Sequence, residues 1–316
     1  MTGLRSPRLM HPEPRPLSAR GWITLAVALL VVFVIGAVIY ANYSNEGGVR
    51  VQGANTGMDE DGIAATIQVT GLDPRTNTAT VELIFEASGF SDFDENGRAL
   101  SNVRITVSTP DGSQEIKVLA GNALGRTVTS FAVQGQEADY PFDEYDGWLF
   151  ISADTYAKQA DGSLESVKQL LVNLDARGGI DGWNTSADIS EFPSEVAMAN
   201  LHYDRAFSTQ LFALLLLTLM TSLALAALLV AILLISNRRA AEVALLGWTA
   251  SLLFALPLLR NSMPNGPPIG ANIDILLFFW VLSTAIISAL LVVVSYTRQR
   301  GAALVHAREG DRSNAS

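Results

Sequence analysis

Four stretches of the chain are apolar almost without interruption: residues 22–42, 209–236, 243–259 and 273–296. A helix needs about 20 mostly apolar residues to cross a hydrocarbon layer roughly 30 Å thick. The first, second and fourth runs meet that length. The third is short, carries Pro257 near one end, and qualifies if Ala240 and Ala241 extend it. The expected membrane spans are therefore residues 21–42, 208–236, 240–260 and 273–297. A secretory signal is the rival reading of the first run. Signal cores are only about 7–15 residues and end at a small-residue cleavage site, which is absent here, so a retained anchor is expected.

Between the first and second runs the period falls to two. In Thr78-Ala79-Thr80-Val81-Glu82-Leu83-Ile84-Phe85-Glu86, the residues Ala79, Val81, Leu83 and Phe85 share one face. Such alternation marks a half-buried strand. It recurs at Ala65–Val69 and Val103–Val107, and more weakly near 115–119, 127–133, 147–153, 168–174 and 195–203. Turn residues punctuate these runs at Asp73-Pro74, Pro110-Asp111-Gly112 and Asp161-Gly162. Short strands at this spacing, with no long amphipathic helix among them, predict an antiparallel β-sandwich over residues 43–207. The expected fold class is membrane α plus all-β.

Charge orients this scheme. Residues 43–207 hold ten Lys and Arg against 26 Asp and Glu, a net of −16, whereas the rest of the chain is net +6. The basic residues outside that region flank the apolar runs: Arg5, Arg8, Arg15 and Arg20 before the first, Arg238 and Arg239 after the second, Arg298 and Arg300 after the fourth. Cytoplasmic loops carry such an excess of Lys and Arg. The tails 1–20 and 298–316 are therefore expected in the cytoplasm and residues 43–207 outside it. Arg205 and Arg260 are the exceptions, at outer ends. Both the 49% hydrophobic content and the 16% charged content suit a membrane protein, since soluble chains carry about 25% charged residues.

Candidate chemistry is sparse. The chain has no cysteine, which excludes disulfides, thiolate catalysis and Cys-ligated metals. His11 and His306 fall in the tails and His202 on the other side of the membrane, so no three-histidine site is expected. No phosphate loop, nucleophile elbow or dinucleotide fingerprint occurs. A non-enzyme without a resident cofactor is the expectation. Asp92, Asp94 and Asn96, before Gly97, reproduce the opening of a calcium loop. The twelfth position is Val103 where glutamate is needed, so a polar turn between strands remains the other reading. In the membrane block, Glu242 opens the third span, Arg260 closes it and Asp274 opens the fourth. Ionisable groups at such depths pair or snorkel, and an Arg260–Asp274 ion pair across the proline-rich loop 264–270 is expected. Trp22, Tyr40, Tyr43 and Trp248 read as interfacial anchors, and Trp280 as packing between helices.

The residues Leu253-Phe254-Ala255-Leu256-Pro257-Leu258-Leu259-Arg260-Asn261, then Pro264–Gly270, Asp274 and Phe278-Phe279-Trp280, carry a resemblance. With the N-terminal anchor and Tyr140-Pro141-Phe142-Asp143, they resemble an uncharacterised family of actinobacterial membrane proteins known as a domain of unknown function. That resemblance implies the topology above and a bacterial plasma membrane, and brings no activity. Tyr140, Pro141, Phe142 and Asp143 also resemble the Phe-Pro-Phe-Asp loop of pentameric ligand-gated channels. There the loop hangs from a β-sandwich onto the membrane block and helps transmit binding to the pore. This chain departs in having a span before the β domain, in Tyr145 where that family has glutamine, and in a third span with only Thr249 and Ser251 as polar lining.

The expected function is thus a non-enzymatic plasma-membrane protein that presents an acidic β domain to a membrane or envelope protein, or to an envelope component. The alternative is a ligand-responsive channel or transport accessory. The bilayer is an expected partner, nucleic acid is not, and oligomerisation is left open.

Overall fold

We describe a computed structural model of the chain over residues 48–53, 62–89, 91–160, 162–192 and 196–314, with residues 30, 33, 34, 36, 37, 40 and 41 in helical conformation. The rest of the expected first span, including Trp22, lies outside the described residues, as do Tyr43 and residues 54–61.

Eleven strands follow in order: β1 Val49–Gly53, β2 Gly62–Asp73, β3 Thr78–Ser88, β4 Val103–Thr109, β5 Gly112–Val118, β6 Arg126–Ala132, β7 Gln134–Gly135, β8 Glu144–Lys158, β9 Leu164–Gly178, β10 Trp183–Phe192 and β11 Val196–Arg205. They hydrogen-bond in the order β1-β10-β11-β8-β9-β2-β3-β6, with β4 and β7 also on β8, and β5 on β4. Alternation does place Ala79, Val81, Leu83 and Phe85 of β3 in the core. The sheet is mixed, however, and not wholly antiparallel as expected. β1 runs parallel to β10, and β2 parallel to β9. A period of two specifies which side chains face inward. It carries no information on the direction of a partner far along the chain.

β8 and β9 each change partner along their length. Residues 144–151 of β8 pair with β11 and residues 153–158 with β9, while β9 passes from β8 at 164–170 to β2 at 171–178. Inward residues from nearly every strand, among them Ile63, Leu83, Ile105, Phe131, Leu149 and Leu201, then form one core cluster.

Among the described residues, three helices are long and apolar enough to cross a membrane: α1 Phe207–Ile235, α2 Val243–Asn261, and a π-helical turn Asp274–Phe278 that runs on into α3 Phe279–Asn314. The second begins at Val243, not at Ala240: Glu242 caps it in extended conformation. Its 19 residues span about 28 Å at about 1.5 Å per residue, with Pro257 kept inside the helix. Small buried residues, Ala213, Ala224, Ala227 and Ala231 on α1 and Ala285 and Ser288 on α3, let the helix backbones approach. The outward faces stay apolar, with Phe254, Leu258 and Leu276 all exposed. Trp280 belongs to this outer surface and is 69% exposed. It does not pack between helices as expected.

Gln299 ties the loop between α1 and α2. Its side-chain oxygen accepts from the Ala241 amide at 2.8 Å, and its nitrogen donates to the Leu234 carbonyl at 3.4 Å.

Candidate functional site

Arg205, one of the two arginines that break the charge pattern, sits at the sheet-to-helix junction. It is the last residue of β11, separated only by Ala206 from the start of α1 at Phe207. Its guanidinium is buried and grips Asp143 with two bonds, Nε to Oδ1 at 2.5 Å and Nη2 to Oδ2 at 2.9 Å. The Tyr140 and Trp183 rings lie against it, at 4.6 and 4.4 Å from the guanidinium carbon. The Tyr145 hydroxyl donates to Asp143 at 3.1 Å. A charge held in this way is paired, hydrogen-bonded and stacked, which is what burial of an arginine requires.

Local sequence explains the arrangement. A 3₁₀ turn at Glu137–Asp139 delivers Tyr140-Pro141-Phe142-Asp143 below the sheet, between β7 and β8. Tyr140, Pro141 and Asp143 are buried and Phe142 is 58% exposed. Gly182, at φ +80°, adopts a turn that side chains disfavour. Its carbonyl accepts from the Ala206 amide at 3.0 Å and the Thr209 hydroxyl at 3.3 Å, so it caps the start of α1. A Cβ here would lie 2.9 Å from Thr209 Oγ1.

The loop between α2 and α3 meets the same segment. Arg260 pairs with Asp274 as expected, Nε to Oδ1 at 3.0 Å and Nη2 to Oδ2 at 2.6 Å. It also donates to the Pro268 carbonyl at 2.8 Å, while Asp274 accepts from the Gly270 amide at 2.9 Å. The loop so braced accepts a 3.0 Å bond from the Tyr140 hydroxyl at Pro264, and Asn272 donates to Asp139 at 2.7 Å. Burial pushes the Tyr140 hydroxyl up to about 12, and it raises Tyr145 and Tyr203 in the same direction. These tyrosines are donors or neutral packing groups, not bases.

A cleft of about 380 Å³ opens beside this junction, lined by Arg75, Glu137, Asp181, Arg205 and the loop Asn265–Pro268, among others. Arg205 Nη1 and Glu137 Oε2 are buried without a hydrogen-bond partner.

Glu242 is elsewhere. It is exposed, at the opposite ends of α1 and α2 from Arg205 and Arg260, and the structure does not bring it to the junction. The calcium candidates are elsewhere too. Asp94 Oδ1 accepts from the Asn96 and Arg98 amides, at 2.9 and 2.8 Å. Asp92 Oδ2 accepts from Lys168 Nζ at 2.6 Å and from Ser91. Both carboxylates thus serve a turn closed by Gly97 at φ +71°. Among the described residues no group of three or more His, Asp or Glu side chains stands close enough to hold a metal ion.

Comparison with known families divides the chain at this junction. Residues 54–202 match a domain of unknown function (DUF4436), and residues 205–299 match another (DUF8686). The chain joins two domains of unknown function. No curated protein matches it. The Asp143–Arg205, Tyr140–Pro264 and Asp139–Asn272 contacts each run from the DUF4436 region to the DUF8686 region. Sequence reasoning named Tyr140, Asp143, Arg260 and Asp274, met Tyr145 only as a departure from the ligand-gated channels, and missed Trp183 and Glu137. It noted Arg205 only as a breach of the charge pattern, and that breach was the available signal.

Proposed function

We propose that the chain is a non-enzymatic integral protein of a bacterial plasma membrane, with both termini cytoplasmic and an acidic β-sandwich outside. The sandwich presents a binding surface to a membrane or envelope protein, or to an envelope component. The observation that carries this reading is the junction: a buried ion pair and two further side-chain hydrogen bonds hold the β region against helices whose outer faces are apolar. Apolar exposure on three adjacent helices is stable in lipid and costly in water. A presenting domain held so firmly keeps its surface at a set height and orientation above the bilayer. Affinity capture from detergent, with a tagged chain at native expression level, tests this. A specific, stoichiometric companion is the expected result, and recovery of the chain alone counts against it.

A second reading, a ligand-responsive channel or transport accessory, draws on one observation. The segment Tyr140–Asp143 meets the loop between α2 and α3, in keeping with the coupling role implied by its resemblance to ligand-gated channels. Against it, the Thr249 and Ser251 hydroxyls on α2 bond back to their own helix, to the Leu245 and Gly247 carbonyls at 2.9 Å each. A strictly monomeric particle in detergent would exclude a shared pore.

A further inference from the structure

A second cleft, of about 360 Å³, opens on the outward face of β8, β11 and β10, away from the junction. Register defines it. Trp148 stands opposite Asn200, and Asn200 opposite Asp188; in the adjacent row Asp146 stands opposite His202, and His202 opposite Ser186. An outward sheet face is ordinarily flat. This one is bounded at its edge by Pro110 and the segment 132–134, whose Gln134 pairs with Asp146 of β8. On the opposite, core side of β8, Phe131 and Val133 press against residue 147, where a Cβ would sit 2.8 Å from each.

The floor combines two chemistries. The half-buried Trp148 indole is braced edge-on against Phe150, with ring centroids 5.2 Å apart. Around it stand acceptors and donors that the fold does not consume. Among the described residues, the side chains of Gln134, Ser186, Asp188 and Asn200 make no hydrogen bond to the protein. His202 is oriented by a 2.7 Å bond to Asp146. Among the described residues no lysine or arginine lines the cleft, so two carboxylates disfavour phosphates and acidic ligands. The volume lies in the range of about 300–1,000 Å³ usual for small-molecule sites.

We propose that this cleft binds a neutral saccharide. An indole offers a flat apolar face to the C–H groups of a sugar ring. Carboxylates and amides at cross-strand spacing accept from, and donate to, adjacent hydroxyls. This assignment rests on the β region being a presenting module, and names what it presents to. Asn200 precedes Arg205 by a run of strand that rises about 17 Å at roughly 3.3 Å per residue. The cleft therefore stands close above the start of α1, within reach of either a glycolipid headgroup or a free envelope glycan.

The test is isothermal titration of the full chain, in a detergent without a sugar headgroup, against neutral glucose-, galactose- and mannose-based mono- and disaccharides. Nanodiscs with and without a neutral galactolipid form the parallel arm. Saturable heat is expected, weakened about tenfold or more by Trp148→Ala. Asp188→Ala and Asn200→Ala, at exposed positions that leave folding intact, are expected to weaken it in the same direction. Binding only in galactolipid nanodiscs assigns a headgroup, and binding in detergent assigns a free glycan. No saturable heat in either arm, or binding that all three variants leave unchanged, overturns the proposal. Loss of the saccharide signal beside a captured protein partner that the variants retain would sink the saccharide site alone. Failure of both would sink the presenting role as well.

Discussion

Removing either half of the Asp143–Arg205 pair should be far more damaging than removing both. The side chains are 0% and 2% exposed, so neither charge can turn to water when its partner is lost. Breaking a buried ion pair from one side costs about 3–5 kcal/mol, whereas replacing both partners by packed apolar groups is close to neutral. The two single variants should also differ. In Asp143→Leu the guanidinium keeps the Tyr140 and Trp183 rings, a contact worth about 0.5–2 kcal/mol. In Arg205→Met that contact is gone and the carboxylate retains only the Tyr145 hydroxyl. Asp143→Leu therefore falls near about 3 kcal/mol and Arg205→Met near about 5 kcal/mol, the ends of the range for such pairs. The double variant should return to within about 1–2 kcal/mol of the parent, a coupling typical of residues in one network. Thermal unfolding of the full chain in detergent, followed by its β-sheet circular dichroism, reads this. Each kcal/mol moves Tm by about 2–4 °C in a domain of this size, so Arg205→Met should lower it by roughly 10–20 °C. Single-variant losses that simply add in the double variant would refute the reasoning. The cost would then lie in packing rather than in stranded charge.

Other expectations follow from the same structure. Tyr140, Tyr145 and Tyr203 hold their protons more tightly when folded than the ordinary value of 10. Their stabilising contribution is complete below pH 10 and is lost as pH climbs through the folded values. An ultraviolet titration should therefore show a late tyrosinate wave coincident with unfolding, and a single wave near pH 10 for all seven tyrosines would contradict it. Gly182→Ala forces a side chain to φ +80° against Thr209, and should cost about 1–3 kcal/mol. Adding Thr209→Ala should recover only the steric part, and full recovery of Tm would show that the backbone conformation is not the constraint. Because protein donors already engage Asp92 and Asp94, millimolar calcium should leave Tm unchanged; a saturable rise would restore these residues as a cation site. Gln299→Leu strands the Ala241 amide, and should speed hydrogen exchange there by about fivefold or more, the effect of losing a bond worth about 1 kcal/mol.

Much of the fold was legible along the chain. The apolar runs anticipated α1 and α2 to within a few residues and the start of the segment that leads into α3, although α3 runs on to Asn314 where a tail from residue 298 was expected. Alternation placed Ala79, Val81, Leu83 and Phe85 in the core, because burial imprints its period on neighbouring residues. The Arg260–Asp274 pair was legible too, since a short loop joins its partners. The Asp143–Arg205 clasp was not. Asp143 immediately precedes β8 and Arg205 ends β11, 62 residues further on, and only the pairing of these strands brings the two together, so nothing local named Arg205 as the partner of Asp143. The same holds for the Trp148 cleft, whose residues come from β8, β10 and β11 in an order that cross-strand register alone sets. Sequence thus determined which residues hide from water and which helices are long and apolar enough to cross a membrane, both local consequences of transfer free energy. Which strands run parallel, which charges meet, and where the sheet becomes concave were decided by closure of the tertiary structure, where partners are chosen by geometry across long loops.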